Sequence, residues 1–332
     1  MINQRLFDHY GIDTAKDLAI PTTCARPYDT LLIDSWGSCF VCECQSWLPQ
    51  SVGNLHKNSI PEILNSAMAK EIQTSVADGT YKYCNNHQCM YIKKGDIRPV
   101  TQGRALQNLR LAIDNSCNLS CPSCRKEQIF LKSGKMFDMR MRLVDSVIQF
   151  LEQRSDPLKI HIGSDGDPFA SLIYRRFMRN VPDLENLSYS FQTNGLLVKQ
   201  MYPRVQNIFE KLHTLNISID GASKDTYETL RRGGSWKKIN ENLQFISGLK
   251  HKHGFKLKLH MVVQASNWHE MMTMCELGTS IGADEVVLNK IENWQTYGDF
   301  DKHRVPDTVA VSELLDQVDS HPLSVNWKRL NL

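Results

Sequence analysis

Ten cysteines are the residues of this 332-residue chain whose type and spacing point most directly to chemistry. Thiolates bind zinc and iron–sulfur clusters, and in a reducing compartment clustered thiols are more often metal ligands than disulfide partners. Three of them form the run Cys117-Asn-Leu-Ser-Cys121-Pro-Ser-Cys124, and Cys275 stands alone. The other six are Cys24, Cys39, Cys42, Cys44, Cys84 and Cys89.

The tight run has three thiols, and the neighbouring sequence offers no histidine or cysteine that would complete a set of four. Structural zinc sites are closed by four ligands, whereas an iron–sulfur cubane takes one thiolate on each iron. Three thiolates on a cubane leave one iron open for a ligand. The run follows an apolar segment at residues 109–113, which predicts a loop at the end of a strand. By spacing alone, zinc remains the alternative.

The hydrophobic pattern predicts the elements that must position these cysteines. Residues 141–152 and 239–249 have the periodicity of helices, and the first of them carries one apolar stripe. Helices that alternate with short apolar strands predict a parallel sheet with right-handed crossovers. The six strand candidates are residues 108–113, 159–163, 188–192, 214–219, 255–263 and 285–288.

Polar residues follow four successive strand candidates, at the end of the strands where α/β barrels carry their chemistry. The second candidate leads into Gly163-Ser-Asp-Gly-Asp-Pro168, a turn whose glycines let the backbone approach a ligand. A carboxylate there binds an ammonium group, and the alternative for Asp167 is a helix cap with Pro168 in the first turn. The later strand ends carry Gln192-Thr-Asn-Gly195, then Ser218 and Asp220, and then Gln264.

The Cys-x₃-Cys-x₂-Cys run after a first strand resembles the signature of the radical S-adenosylmethionine (radical SAM) family. The resemblance implies an α/β fold with a partial (β/α)₆ TIM-like barrel, and a [4Fe-4S] cluster on Cys117, Cys121 and Cys124 that binds S-adenosylmethionine. Ser123 stands where the family carries an aromatic residue beside the adenine. The other residues expected to bind the cofactor are Gly166, Asp167 and Pro168 for its amino group, Ser218 and Asp220 for the ribose, Arg231 or Arg232 for the carboxylate, and Asn194 and Gln264 at the remaining strand ends.

The first hundred residues resemble the small cysteine-rich α+β SPASM and twitch auxiliary-cluster domains. They share Gly53-Asn-Leu55 and a helix with capping-box spacing from Ser59, which we expect to run to about Val76. In the family this domain follows the barrel, whereas here it precedes it. The resemblance implies one auxiliary [4Fe-4S] cluster, with Cys39 or Cys44 as alternates for Cys42, and a Cys₄ zinc site is the other interpretation. The implied ligands are Cys24, Cys42, Cys84 and Cys89.

Composition excludes several other classes of protein. The count of 39 Lys+Arg against 36 Asp+Glu leaves a charge of +3, too little for a nucleic-acid-binding surface. No apolar run approaches the ~18 to 20 residues that span a bilayer, and the charges among the first 17 residues argue against a secretory signal. We therefore expect a cytoplasmic enzyme without nucleic-acid or membrane partners. Its expected domains are residues 1–100 for the auxiliary cluster, 101–295 for the barrel and 296–332 for a C-terminal extension.

The resemblance also implies a reaction. Radical SAM enzymes cleave S-adenosylmethionine reductively, with an electron donor such as flavodoxin or ferredoxin, and the 5′-deoxyadenosyl radical abstracts a substrate hydrogen. With an auxiliary-cluster domain, the implied substrate is a peptide or protein. The alternatives are a dehydrogenase or epimerase that acts on a small sugar-like molecule, and a non-catalytic iron–sulfur module. Cys275 is a candidate hydrogen donor, with a buried apolar position on a helix as the other interpretation.

Overall fold

The computed structural model describes residues 24–86, 88–89, 91–92, 105–163 and 165–329, with the backbone alone for residues 327–329. The charged N-terminal segment and the expected domain boundary near residue 100 lie outside these residues. The chain divides into two compact units, the first made of residues 1–114, 134–161 and 180–187, and the second of residues 115–133, 162–179 and 188–332. No helix in the described ranges has the length and hydropathy needed to cross a membrane.

The strands of the first unit are β1 (Thr30–Asp34), β2 (Ser38–Phe40), β3 (Gly53–Asn54), β4 (Asn108–Ala112) and β5 (Leu158–Ile162). They lie in the order β3-β2-β1-β4-β5. β1 is antiparallel to β2 but parallel to β4, with Leu31 opposite Leu109. The cysteine-rich segment therefore contributes a strand beside the first strand that the sequence predicts. β1 to β3 were not predicted from the sequence: β1 is almost continuously buried and so does not alternate, and β2 and β3 have only three and two residues.

The helices of the first unit are α1 (Arg26–Asp29), α2 (Ile60–Leu64), α3 (Ala67–Ala77) and α4 (Lys135–Glu152). The predicted capping box is present, since the Ser59 side chain accepts from the Glu62 amide and the Glu62 carboxylate accepts from the Ser59 amide. The expectation of one helix to Val76 is wrong. Ser66 starts a second helix, because its hydroxyl accepts a hydrogen bond from the Ala69 amide at 3.2 Å.

The strands of the second unit are β6 (Leu187–Thr193), β7 (Leu212–Ser218), β8 (Lys256–Val263), β9 (Glu285–Lys290) and β10 (Ser324–Arg329). All neighbouring pairs among them are parallel, so their carboxyl ends lie at one edge of the sheet. The helices are α5 (Leu172–Asn180), α6 (Val198–Met201), α7 (Gln206–Glu210), α8 (Lys224–Leu230), α9 (Trp236–His253), α10 (Met271–Ser280) and α11 (Val309–Asp319), with short 3₁₀ turns at Tyr202–Arg204, Trp268–Glu270 and Asp301–His303.

The predicted α/β fold class with parallel strands is confirmed, and all six predicted strands are present as β4 to β9. The pattern of β8 shows why the prediction works. Leu257, Leu259 and Met261 are buried, while the alternate positions, such as Lys256 and Lys258, are more exposed. The expected domain limits stay a prediction.

Candidate metal centres

One loop of the second unit, between β4 and α4, carries Cys117, Cys121 and Cys124. The Cys117 amide donates to the Ile129 carbonyl at 2.8 Å, and the Cys124 amide donates to the Cys121 carbonyl at 2.9 Å. Cys121 is buried, Cys117 is half-buried and Cys124 is exposed. These main-chain hydrogen bonds hold the loop with Cys121 in the interior and Cys124 at the surface.

Hydrogen-bond donors are directed at all three thiols of this loop. Cys117 Sγ faces the Leu119 amide at 3.5 Å and Asn194 Nδ2 at 3.8 Å. Arg231 Nη1 lies 3.8 Å from Cys121 Sγ, and Arg125 Nε lies 3.4 Å from Cys124 Sγ. Donors placed in this way favour the thiolate form and tune the potential of a metal that it binds.

Arg231 and Asp220 form a buried ion pair beside Cys121. Asp220 lies directly beyond β7, and its Oδ2 is 3.0 Å from Arg231 Nε, while its Oδ1 accepts from the Val262 amide at 2.9 Å. Burial raises the pKa of Asp220, against the opposing effect of Arg231. Burial lowers the pKa of Arg231, but Asp220 and Cys121 raise it by more, so its net shift is upward. The guanidinium therefore stays charged between a carboxylate and a thiol.

The neighbouring arginines hold the cysteine loop in shape. Arg232 Nε donates to Ser120 Oγ at 3.1 Å, and its Nη2 donates to the Lys126 carbonyl at 2.9 Å. Arg125 Nη1 donates to the Asn115 carbonyl at 2.7 Å. Of the two arginines predicted for a carboxylate, the structure places Arg231 against a thiol and Arg232 on the exposed side of the loop.

Asp167, in the predicted glycine turn, is buried and fully engaged by protein donors. Its Oδ1 accepts from the amides of Phe169 and Ala170 at 3.0 and 3.1 Å. Its Oδ2 accepts from Thr193 Oγ1 at 2.7 Å and from the Asn194 amide at 2.8 Å. α5 begins only at Leu172, so Asp167 caps the turn before the helix and anchors the turn after β6. Its neighbours Gly166 and Pro168 are half-buried and buried.

The charge of Asp167 also affects the first cysteine. Burial, and then Asp167, raises the pKa of Cys117 to about 11. Burial likewise raises the pKa of Cys121, although Arg231 opposes the shift. Without a metal these thiols therefore keep their protons, and metal binding would release them.

Two more predicted residues lie at strand ends of this unit. Ser218 Oγ accepts a hydrogen bond from Gln192 Nε2. Gln264 is 1% exposed, its Oε1 accepts from the Tyr297 hydroxyl at 3.2 Å, and its Nε2 has no partner within the described part of the chain. Burial raises the pKa of Tyr297, and the charges of Asp220 and Cys121 add to that shift.

Tyr297 is not among the residues predicted from the sequence. It lies in the segment after β9, where the sequence shows no pattern typical of a functional site. Only the folded chain places it near the end of β8. Two contacts hold it there, since the His303 ring stacks on Tyr297 at a centroid distance of 3.7 Å and the Ala265 amide donates to the His303 carbonyl at 3.0 Å.

In the first unit, Cys24 and Cys84 pack against the buried cluster that contains Cys89. Burial raises the pKa of Cys42, and the charges of Cys24, Cys89 and Cys84 add to that shift. Burial, then Cys24 and Cys89, raises the pKa of Cys84 to about 12. Two amide hydrogen bonds shape the later pair, from Cys84 to the Tyr81 carbonyl at 2.9 Å and from Cys89 to the Asn85 carbonyl at 2.8 Å.

The thiols of the two alternates for Cys42 make other contacts. Cys39 is fully buried on β2 with its Sγ 3.5 Å from the Gly37 carbonyl, and Cys44 Sγ lies 3.0 Å from Ser46 Oγ. In the described ranges no group of three or more His, Cys, Asp or Glu side chains is arranged to hold a single metal ion. A cubane places its thiolates on different irons, so its ligands need not converge on one point. Both sites consist of thiols. Those of the loop face hydrogen-bond donors, and those of the first unit have other cysteines as neighbours, so both sets fit iron–sulfur clusters.

A buried arginine flanks the first-unit thiols. Arg26 Nε is 3.0 Å from Glu43 Oε1, its guanidinium lies 3.1 Å from the centre of the Tyr91 ring, and its Nη1 is 3.7 Å from Cys24 Sγ. The Tyr91 hydroxyl donates to Glu43 Oε2 at 3.2 Å. This places a positive charge beside thiols that are otherwise desolvated.

Cys275 lies apart from both groups, on α10. Its side chain is 0% exposed beside Met271 and Met274, and burial raises its pKa to about 11. This environment is that of a small buried apolar residue.

Family models match two parts of the chain. The radical SAM superfamily model matches residues 112–278, about half of the 332 residues, and the SPASM iron–sulfur cluster-binding domain matches residues 24–90. The first range contains the three-thiol loop, and the second contains Cys24, Cys42, Cys84 and Cys89.

Curated relatives are named GTP 3′,8-cyclases. That of Alkaliphilus metalliredigens is 24% identical over 142 residues, 42% of this chain and 43% of that protein. The probable enzyme of Archaeoglobus fulgidus is 28% identical over 43% of this chain and 45% of that protein, so the chain spans less than half the length of these two relatives. The probable enzyme of Methanocaldococcus jannaschii is 24% identical over 68% of this chain and 73% of that protein.

Two solved structures are similar to the chain at low identity. AnSMEcpe with bound AdoMet is 16% identical over 67% of this chain and 61% of that chain, with a TM-score of 0.46. Streptococcus suis SuiB bound to S-adenosylmethionine is 14% identical over 80% of this chain and 61% of that chain, with a TM-score of 0.45. The family models imply a [4Fe-4S] cluster with S-adenosylmethionine, and an auxiliary iron–sulfur cluster in the SPASM domain. The chain belongs to the radical SAM superfamily of enzymes and carries a SPASM domain at its N-terminal end.

Proposed function

We propose that this enzyme cleaves S-adenosylmethionine reductively and uses the 5′-deoxyadenosyl radical to abstract a hydrogen atom from a peptide or protein. The observation that carries the proposal is the loop of Cys117, Cys121 and Cys124, in which each thiol faces a directed hydrogen-bond donor. When bound on these thiolates, a [4Fe-4S] cluster supplies the electron that breaks the carbon–sulfur bond, with methionine as the other product. Flavodoxin or ferredoxin is the proposed source of that electron.

The residues around the loop would bind and orient the cofactor. We assign Ser218, Asp220 and Gln264 to its ribose and adenine side, and Arg231 to its carboxylate and to the Cys121 thiolate. Asp167 would act indirectly, because its four hydrogen bonds already hold Asn194 and the neighbouring turns. Fixing the reactants in this way lowers the entropic part of the barrier.

The peptide or protein substrate is proposed from the SPASM domain, because radical SAM proteins that resemble this chain in carrying one most often modify peptides. A small-molecule substrate is the second candidate. It is supported by the relatives named GTP 3′,8-cyclases, since a nucleotide is a small molecule and the Methanocaldococcus jannaschii protein aligns with 68% of this chain. We also propose that the reaction oxidises its substrate, which would make the enzyme an oxidoreductase.

The first experiment measures cofactor cleavage. The protein is reconstituted anaerobically, dithionite and S-adenosylmethionine are added, and 5′-deoxyadenosine is quantified beside a Cys121→Ala variant. We expect nucleoside from the native protein and none from the variant. Reconstituted protein that binds zinc instead of iron at these cysteines would overturn the proposal.

A second experiment separates the substrate classes. Extract from cells grown in deuterated medium is divided by size at roughly 1 kDa, and each fraction is added to the reconstituted enzyme. Abstraction from a peptide transfers deuterium into 5′-deoxyadenosine only with the larger fraction, whereas a small-molecule substrate labels it only with the smaller one. The Cys121→Ala variant is the control for both fractions.

A further inference from the structure

Tyr81 buries a phenol whose proton has no acceptor. The residue is 4% exposed, the Cys24 amide approaches its oxygen as a donor, and no described residue accepts from its hydroxyl. Burial takes this hydroxyl out of water without replacing the hydrogen bond that it donates, which is destabilising, so an acceptor is needed beside it.

The main chain holds Tyr81 in an unfavourable conformation. Its φ angle is 47°, in the left-handed region where a bulky aromatic residue is strained. Its amide donates to the Ser75 carbonyl at 2.8 Å, and its carbonyl accepts from the Cys84 amide at 2.9 Å. The strained residue is therefore fixed to the turn that presents Cys84.

The phenol lies among the thiols of the first unit. Tyr81 and Cys89 share one buried apolar cluster, and Cys24 and Cys84 pack against it. A tyrosine phenol is protonated at neutral pH, so this hydroxyl can donate. Sulfur atoms are thus the acceptors that surround a donor without another acceptor.

We propose that the Tyr81 hydroxyl donates a hydrogen bond to a sulfur atom of the auxiliary iron–sulfur cluster and makes its potential less negative. The inference rests on the proposed ligand set of Cys24, Cys42, Cys84 and Cys89. A hydrogen bond to a cluster sulfur stabilises the added electron, which is a recognised way of setting cluster potentials. Tyr81 acts by this hydrogen bond alone, and neither an atom nor a proton is transferred.

The test uses the full chain with Cys117, Cys121 and Cys124 replaced by alanine, so that the only cluster signal is the auxiliary one. Iron and sulfide contents are measured first. Protein with native Tyr81 that binds no [4Fe-4S] cluster would overturn the ligand set and the inference with it, whatever the Cys121→Ala assay shows for the other site.

Tyr81→Phe is then compared in the same background by potentiometric titration and by proton couplings of the reduced cluster in H₂O and D₂O. We expect equal iron content, a more negative midpoint potential and the loss of one exchangeable proton coupling. Equal potentials and couplings would refute the hydrogen bond. Tyr83→Phe is the matched control, because that hydroxyl donates to Glu71, and we expect it to change neither measurement.

If Tyr81→Phe does not fold, site-specific replacement of Tyr81 by 3-fluorotyrosine takes its place. The fluorinated phenol keeps the shape of the residue and donates more strongly, so the potential must become less negative. An unchanged potential in this variant would also refute the inference.

Discussion

Arg231 Nε lies 3.0 Å from Asp220 Oδ2, in a buried ion pair that also faces the Cys121 thiol. The two residues are brought together because the chain leaves β7 at Ser218, turns through α8 and returns Arg231 to the same strand end. The Arg231 guanidinium thus balances the negative charge of Asp220 at all times, and that of the Cys121 thiolate whenever a metal is bound.

Removal of Arg231 should destabilise the iron-free protein strongly, because it leaves the Asp220 carboxylate buried without a partner. We expect Arg231→Met to lower the free energy of unfolding by about 3–5 kcal/mol. The double variant Asp220→Asn with Arg231→Met should be more stable than Arg231→Met alone, since it removes the orphaned charge. Anaerobic urea unfolding measures both, and a double variant as unstable as the sum of its singles would contradict the prediction.

Gly163 should not tolerate a side chain. Its φ is +100°, and a Cβ would lie 2.1 Å from the Gln192 carbonyl oxygen. Gly163→Ala should lower the free energy of unfolding by more than about 3 kcal/mol, or prevent folding, because a backbone atom blocks the space as well. Gly254→Ala is the control, with φ +74° and nothing within 4 Å of its Cβ, and we expect a loss of about 1–2 kcal/mol. Equal losses in urea unfolding would show that the Gln192 contact is unimportant.

The iron content of single variants should show which of Cys39, Cys42 and Cys44 is a ligand of the auxiliary cluster. In the chain without Cys117, Cys121 and Cys124, Cys42→Ala should lower the [4Fe-4S] content, because the three remaining thiolates leave one iron of the cubane open, whereas four saturate it. Cys39→Ala and Cys44→Ala should keep it, since their thiols face the Gly37 carbonyl and Ser46. Iron and sulfide analysis with absorption spectra measures this, and cluster loss only in Cys44→Ala would assign the ligand to Cys44.

The stability of the iron-free protein should fall in alkaline solution. The folded protein holds the Cys117 proton up to a pKa of about 11, whereas the unfolded value is 9.0. Between these values the folded state binds more protons, so this contribution is complete below pH 9 and is lost as the pH rises through 11. Two pKa units correspond to about 2–3 kcal/mol at most.

Cys117→Ala isolates this contribution from the other groups that titrate in the same range. The difference in free energy of unfolding between native protein and variant should shrink as the pH rises from 8 to 11, measured anaerobically with reductant. A difference that is independent of pH would mean that the thiol keeps an ordinary pKa.

The sequence by itself determined the α/β class, the six strands β4 to β9 and the residues at their ends. These features are local, because strand alternation and cysteine spacing depend on residues that are close together in the sequence. Gln264 illustrates this, since a polar residue directly after an alternating strand already predicted its place at the sheet edge.

Only the tertiary structure decided which candidates meet. It packs Cys24 and Cys84 against the cluster that contains Cys89, and it buries Cys39 on β2. It also places Arg231, rather than Arg232, beside the Cys121 thiol, and it places the Tyr297 hydroxyl beside Gln264. These outcomes depend on contacts between residues far apart in the chain, where burial and charge pairing select among local possibilities that the sequence leaves equivalent.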